Sequence, residues 1–194
     1  NHLSGYMSWN QLSHAEEWVL FEKFPWCVIM IIYIVPYFSG RLFMEILTDP
    51  EQIRQHIRDI YKPNHFMMDY FHINIEEIHC GSATVSLKTD PEKHNNQRGV
   101  IHGGVFAALA DSVTGVTSAT VGAVVATVTL TMNFIRTVTP GETIRVTSKV
   151  THRGRSTIAI TAEMRDEEGR LMSNILANMM VIREFPEIPH HWNG

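Results

Sequence analysis

Cysteine is scarce in this chain: Cys27 and Cys80 stand alone, with no C-x-x-C and no paired framework. That excludes a disulfide scaffold and points to a reducing compartment, the cytoplasm. Basic residues are also few, 16 Lys+Arg against 20 Asp+Glu for a formal net charge of −4, and they form no cluster. Without a track of positive charge, nucleic acid is not an expected partner. No glycine-rich phosphate or dinucleotide loop and no internal repeat appears, so no cofactor is expected. Histidine is the exception, at 11 residues. Yet His56, His65, His72, His79, His94 and the His190-His191 pair show no ligand spacing of the H-E-x-x-H kind, so no metal is expected. The remaining composition, 44% hydrophobic and 19% charged, is that of a soluble globular domain with an extension.

There is one long apolar run, FPWCVIMIIYIVPYF from Phe24 to Phe38, bracketed by Pro25 and Pro36. At about fifteen residues it is shorter than the roughly twenty a membrane helix needs, and extending it back to Trp18 admits Glu22 and Lys23. No small-residue cleavage pattern follows it. Three readings stay open for residues 1–43: an element packing on a neighbouring subunit, a weak membrane anchor through 24–38, or sequence upstream of the natural start. Met44 precedes a helix signal in which Asp49 caps, Pro50 takes the first helical position, Gln52 completes a capping box, and Ile53, Ile57 and Ile60 share a face. A second domain, 44–194, is therefore expected to be complete from Met44 onward.

What is present converges on one stretch: Asn96, five residues, His102-Gly103-Gly104, six residues, Asp111. From Gly103 to about Ala119 the chain reads GGVFAALADSVTGVTSA, with Val105, Leu109, Val113 and Val116 on one helical face. A second face collects Gly104, Ala107, Ala108, Asp111 and Gly115, small enough for close approach by a backbone or a slender ligand. Glycines lower intrinsic helix stability, so burial must hold this helix and a central, wrapped position is predicted. A glycine pair opening a helix presents free amide N–H groups to an acyl oxygen, and a carboxylate two turns on can act on water.

After the helix the period changes to two. Val128, Leu130, Met132 and Phe134 alternate with Thr127, Thr129, Thr131 and Asn133, which predicts a strand with one covered face over 124–135. Turns at Thr139-Pro140-Gly141-Glu142, Arg153-Gly154-Arg155-Ser156 and Asp166-Glu167-Glu168-Gly169 separate further strands at 143–152, from Ile158 to Met164, and about 170–183. The last is apolar or small on both sides, which predicts a mid-sheet or subunit-contact position. One strand-like stretch, 73–89, precedes the helix. The predicted class is α+β, an antiparallel sheet of about five or six strands wrapped around a long central helix, the hotdog fold.

These residues also carry a resemblance. N-x₅-H-G-G-x₆-D, followed by TLTMNFIRTVTPGE and HRGRSTIAITAEMRDEEGRLMS, resembles the small hotdog acyl-CoA thioesterases of the phenylacetate-degradation (PaaI) type over about residues 64–183. The resemblance implies catalytic roles for Asp111 as general base or nucleophile, Gly103 as backbone oxyanion donor, Asn96 as an amide holding the carbonyl or the water, and His102 near the leaving sulfur or ordering the loop. Asn95 is one residue out of register. Thr129 falls where some members carry a water-orienting serine. The same resemblance implies an acyl-CoA substrate and a homo-oligomer, a dimer or dimer of dimers, with carboxylate and amide supplied by different subunits. Gly104, Arg153, Gly154 and Arg155 are expected at the substrate, the arginines as donors to coenzyme A phosphates, with Arg136 a further candidate. The segment Phe66-Met67-Met68-Asp69-Tyr70-Phe71 is a candidate acyl-pocket lining or plain core. Two rival functions remain. One is a hotdog enoyl-CoA hydratase, for which Asp111 and His102 form no obvious dyad. The other is a non-catalytic acyl-CoA sensor, for which the residues before 64 offer no helix-turn-helix pair.

Overall fold

The computed structural model describes residues 45–194. The expected boundary after residue 43 and the apolar run at 24–38, with any membrane contact through it, lie outside the described residues. Helix α1 (Pro50–Tyr61) starts at Asp49, whose carboxylate accepts the Glu51 amide at 3.0 Å, with Pro50 in the first turn. The cap is thus made by Asp49 alone, without the expected reciprocal bond from Gln52. On the expected face of α1, Ile53 and Ile57 are completely buried and Ile60 partly so. A short π-helical turn, Phe66–Tyr70, leads into strand β1 (Asn74–His79).

The single stretch expected at 73–89 is two strands, because Gly81 takes φ +76° and folds β1 back onto β2 (Ser82–Lys88). A left-handed backbone suits glycine, which has no Cβ to clash. Helix α2 (Pro91–His94) follows, then the central helix α3 (Gly103–Ala119), β3 (Ala123–Phe134), β4 (Thr143–Arg153), β5 (Thr157–Arg165) and β6 (Leu171–Glu184). The six strands form one antiparallel sheet in the order β1-β2-β4-β5-β6-β3. Among the described residues no helix is long and apolar enough to cross a membrane.

Helix α3 lies across β2, β3, β4 and β5. Its Val105, Leu109, Val113 and Val116 are buried in one core with Val85, Leu87, Ile144, Val146 and Met164. Each such side chain contributes about 1.5–3 kcal/mol on burial, which outweighs the roughly 1 kcal/mol that interior Gly115 costs relative to alanine. Strand β6 runs between β5 and β3, as a mid-sheet strand should, with Ile175, Ala177 and Met179 buried inward.

Strand β3 departs from the sequence expectation. It is the sheet edge, and among the described residues no complete face of it is covered: Val128 and Phe134 are each 59% exposed. The ladder with β6 slips between Thr127 and Thr129, pairing them with Met179 and Asn178 respectively. A bulge at Val128 therefore breaks the alternation, since one extra residue reverses which side chains point inward. Thr127 shares the helix-facing side with buried Met179, while Thr129 joins exposed Asn178 on the outer side.

Candidate active site

The approach to α3 is a tight loop held by its own polar groups. Asp90 caps α2 by accepting the Glu92 amide at 2.9 Å, and its own N–H donates to His94 Nδ1 at 2.9 Å. His94 is buried, stacks on Phe71 at 5.5 Å, and accepts the His102 amide through its carbonyl at 2.8 Å. Burial pulls the His94 pKa below its ordinary value, with the Asp90 charge opposing, and the neutral ring keeps Nδ1 an acceptor. Between these anchors Asn95 bridges Ile101, and Asn96 Oδ1 accepts the amides of Arg98 at 2.9 Å and Val100 at 3.4 Å. That pins the carbonyl end of the Asn96 side chain, while its NH₂ has no acceptor among the described residues. Asn95 Oδ1 is buried without a partner among the described residues.

His102 is the N-cap of α3. Its Nδ1 accepts the Gly104 amide at 2.8 Å, and its carbonyl accepts the Val105 amide at 3.0 Å. Gly103 keeps a first-turn N–H with no acceptor among the described residues, at the end of the helix where the macrodipole favours negative charge. A cleft of about 300 Å³ opens beside it, lined among others by Ile101, Phe106, Phe134 and Arg136. Arg136 donates to the Leu171 carbonyl at 3.0 Å and so is fixed in place at that rim. A larger concavity, about 630 Å³ and lined by residues including Thr131, Lys149 and Glu163, contains none of the expected site residues.

Gly104 has a local reason to be glycine: a Cβ there would lie 2.9 Å from His102 Nδ1. At an unconstrained helix position, glycine to alanine stabilises by about 1 kcal/mol. Gly104→Ala is expected to lose that gain, because the ring must swing away and give up a cap of comparable worth. An unchanged or lowered urea midpoint is the expected outcome. A rise of about 1 kcal/mol in unfolding free energy would show that the cap is dispensable.

Asp111 stands exposed on the small-residue face of α3, and the Thr127 hydroxyl donates to its Oδ1 at 2.6 Å. The expected hydroxyl, Thr129, is not at this carboxylate: its Oγ1 accepts from Asn178 Nδ2 at 2.9 Å on the outer side of the sheet. The resemblance points to Thr129, and an alternating sequence gives no sign of the bulge at Val128 that sets Thr127 and Thr129 on opposite sides. Asp111 is eight residues beyond Gly103 on one helix, so at 1.5 Å per residue the two lie about 12 Å apart along the axis. One carbonyl cannot touch both within a single chain.

The expected phosphate donors separate. Arg153 is engaged by its own fold: it donates to both carboxylate oxygens of Glu184 at 2.9 Å and to the Val121 carbonyl at 3.2 Å, and contacts His190 Nε2 at 2.9 Å. The Gly154 amide closes the β4–β5 turn on the Thr157 carbonyl at 2.8 Å. Arg155 extends from that turn and is exposed. Among the described residues no group of three His, Cys, Asp or Glu side chains is placed to hold a metal ion.

Residues 98–173 match the Thioesterase superfamily. The E. coli PaaI protein from the phenylacetic acid degradation operon superposes with a TM-score of 0.64 at 21% identity, over 69% of this chain and 96% of that one. A hypothetical thioesterase protein with coenzyme A from Streptococcus pneumoniae TIGR4 gives 0.60 at 23%, over 64% and 98%. A curated relative from Saccharolobus solfataricus, named as an esterase, is 24% identical over 129 residues, 66% of this chain and 91% of the relative. At these identities the structural likeness establishes the hotdog fold.

Proposed function

We propose that this chain, whose residues 98–173 belong to the thioesterase superfamily, hydrolyses acyl-CoA thioesters to the free acid and coenzyme A. The observation that carries the reading is the pair of chemically complementary groups on α3: a Gly103 amide at its positive end with no acceptor among the described residues, and an exposed carboxylate, Asp111, held by a hydroxyl. The protein named as a thioesterase with coenzyme A shares this fold, which supports the substrate class.

Thioesters suit so sparse a site. Sulfur lends the carbonyl little resonance stabilisation, and the leaving thiol has a pKa near that of cysteine, about 8.5, so departure needs little acid assistance. The Gly103 N–H polarises the carbonyl and holds the developing oxyanion, with the Asn96 NH₂ as a second donor. Thr127 occupies Asp111 Oδ1, leaving Oδ2 to take a proton from water or to attack the carbonyl itself. The separation of about 12 Å along one helix means that the amide and the carboxylate act on one carbonyl only across two copies of the chain. The β3 edge, unpaired among the described residues, supports such pairing, as a dimer or a dimer of dimers.

The test is thiol release from a panel of acyl-CoAs, with free acid measured in parallel. Stoichiometric thiol and acid are expected. Conversion of an enoyl-CoA to its hydroxyacyl form without thiol would mark a hydratase, and tight binding without turnover a sensor. Within the assay, Thr127→Val is expected to lower kcat about tenfold or more, the worth of a hydrogen bond to a charged group. Thr129→Val is expected to leave kcat near wild type. The reverse ranking would assign the orienting role to the outer-face hydroxyl.

A further inference from the structure

The small-residue face of α3 is not uncovered along its whole length. Gly104 and Asp111 are exposed, and Ala107 and Ala108 are half-buried. At Gly115, one turn beyond Asp111, the chain covers its own helix: a Cβ at Gly115 would lie 3.2 Å from the Tyr61 hydroxyl and 4.0 Å from its ring carbons. Tyr61 is the last residue of α1, and its ring packs against the same core as Ala108. The phenol therefore stands across the face that carries the carboxylate, about 6 Å along the axis from Asp111 by helical rise. Burial, and then the negative charge of Asp111, push the Tyr61 pKa up, which keeps it a neutral phenol.

A thioester caught at Asp111 has two ends to place. Coenzyme A must lead out to solvent, and the face is open towards Gly104 and the helix start. The acyl group takes the closed end. We infer that Tyr61 walls the acyl pocket beside Asp111 and sets the size of the acyl group the protein accepts, with Gly115 required so that the phenol can lie against the helix. The inference rests on the acyl-CoA reading above. Its basis is geometric: Tyr61 reaches the Asp111 face from an element outside the matched superfamily segment 98–173.

The experiment compares wild type, Tyr61→Ala, Tyr61→Phe and Gly115→Ala on straight-chain acyl-CoAs of increasing length. Two readouts are taken: kcat/KM, and the Kd of non-hydrolysable acyl-CoA thioethers. Tyr61→Ala is expected to raise the long-to-short preference at least about tenfold, the low end of what one methylene in a pocket decides. Tyr61→Phe keeps the ring and is expected to keep the wild-type profile. Gly115→Ala adds a methyl 3.2 Å from the hydroxyl, and is expected to shift preference towards shorter acyl groups. A folded Tyr61→Ala with the wild-type length profile in both readouts overturns the inference. If Tyr61→Ala does not fold, an unshifted profile in folded Gly115→Ala overturns it equally. Absence of turnover by wild type on every substrate would instead strike the hydrolytic reading, and the thioether Kd series would still decide the role of Tyr61.

Discussion

Asp111→Ala is expected to lose at least about a hundredfold in acyl-CoA hydrolysis while keeping the fold, the usual worth of a positioned acid or base. Stability should be nearly untouched, because the carboxylate is exposed, and its one side-chain partner among the described residues is the Thr127 hydroxyl. Truncation therefore leaves no buried charge unpaired and opens no cavity. Asp111→Asn sharpens the test, since its amide oxygen can still accept from Thr127 but cannot take a proton from water or form an acyl intermediate. Loss in both variants with unchanged thermal unfolding assigns the effect to the carboxylate. Comparable thiol release by wild type and Asp111→Ala would remove Asp111 from the mechanism.

The central helix was legible because its start and its buried face are written locally. The stripe Val105, Leu109, Val113 and Val116 follows from period alone, and the glycine pair at Gly103 marks where the helix starts. The edge strand was legible in extent but not in facing. A run of alternating Val and Thr carries no mark of the extra residue at Val128, and that residue puts Thr127 rather than Thr129 beside Asp111. The β1–β2 hairpin was hidden for a related reason, since Cys80-Gly81 is a weak punctuation inside a long strand-like stretch.

Long-range partners were the least legible. Arg153 reads as a free turn arginine until the fold brings Glu184 and His190 to it, 31 and 37 residues later. Tyr61 likewise reads as the end of an amphipathic helix, and only packing places its hydroxyl over Gly115. The motif spacing from Asn96 to Asp111, by contrast, is confined to a loop and two helical turns, so sequence distance and spatial order coincide there. It is the stretch where a sequence can state chemistry before a fold is known, because the loop is closed by its own residues: His94, Asn96 and His102 supply its anchoring hydrogen bonds.

Gly103→Pro is expected to abolish most activity with the helix intact, because it deletes the proposed oxyanion donor and little else. Proline at the first helical position is well tolerated, since the N–H there has no intrahelical partner and φ is already suitable. The preceding residue must be extended, and His102 is, at φ −67° and ψ 137°. The added Cβ meets nothing closer than a ring carbon of Phe134 at 3.5 Å, an ordinary contact. Gly103→Ala shares that Cβ but keeps the N–H, and so serves as the steric control. Removal of one such donor elsewhere costs about 10²–10³ in kcat, roughly 2.7–4 kcal/mol of barrier. The expected pattern is a loss of that size in the proline variant, a small effect in the alanine variant, and unchanged acyl-CoA thioether binding in both, because the interaction strengthens as charge develops on oxygen. Equal activity in the proline and alanine variants would mean that the amide at the head of α3 takes no part in the reaction, and the oxyanion would have to be held by the Asn96 side chain alone.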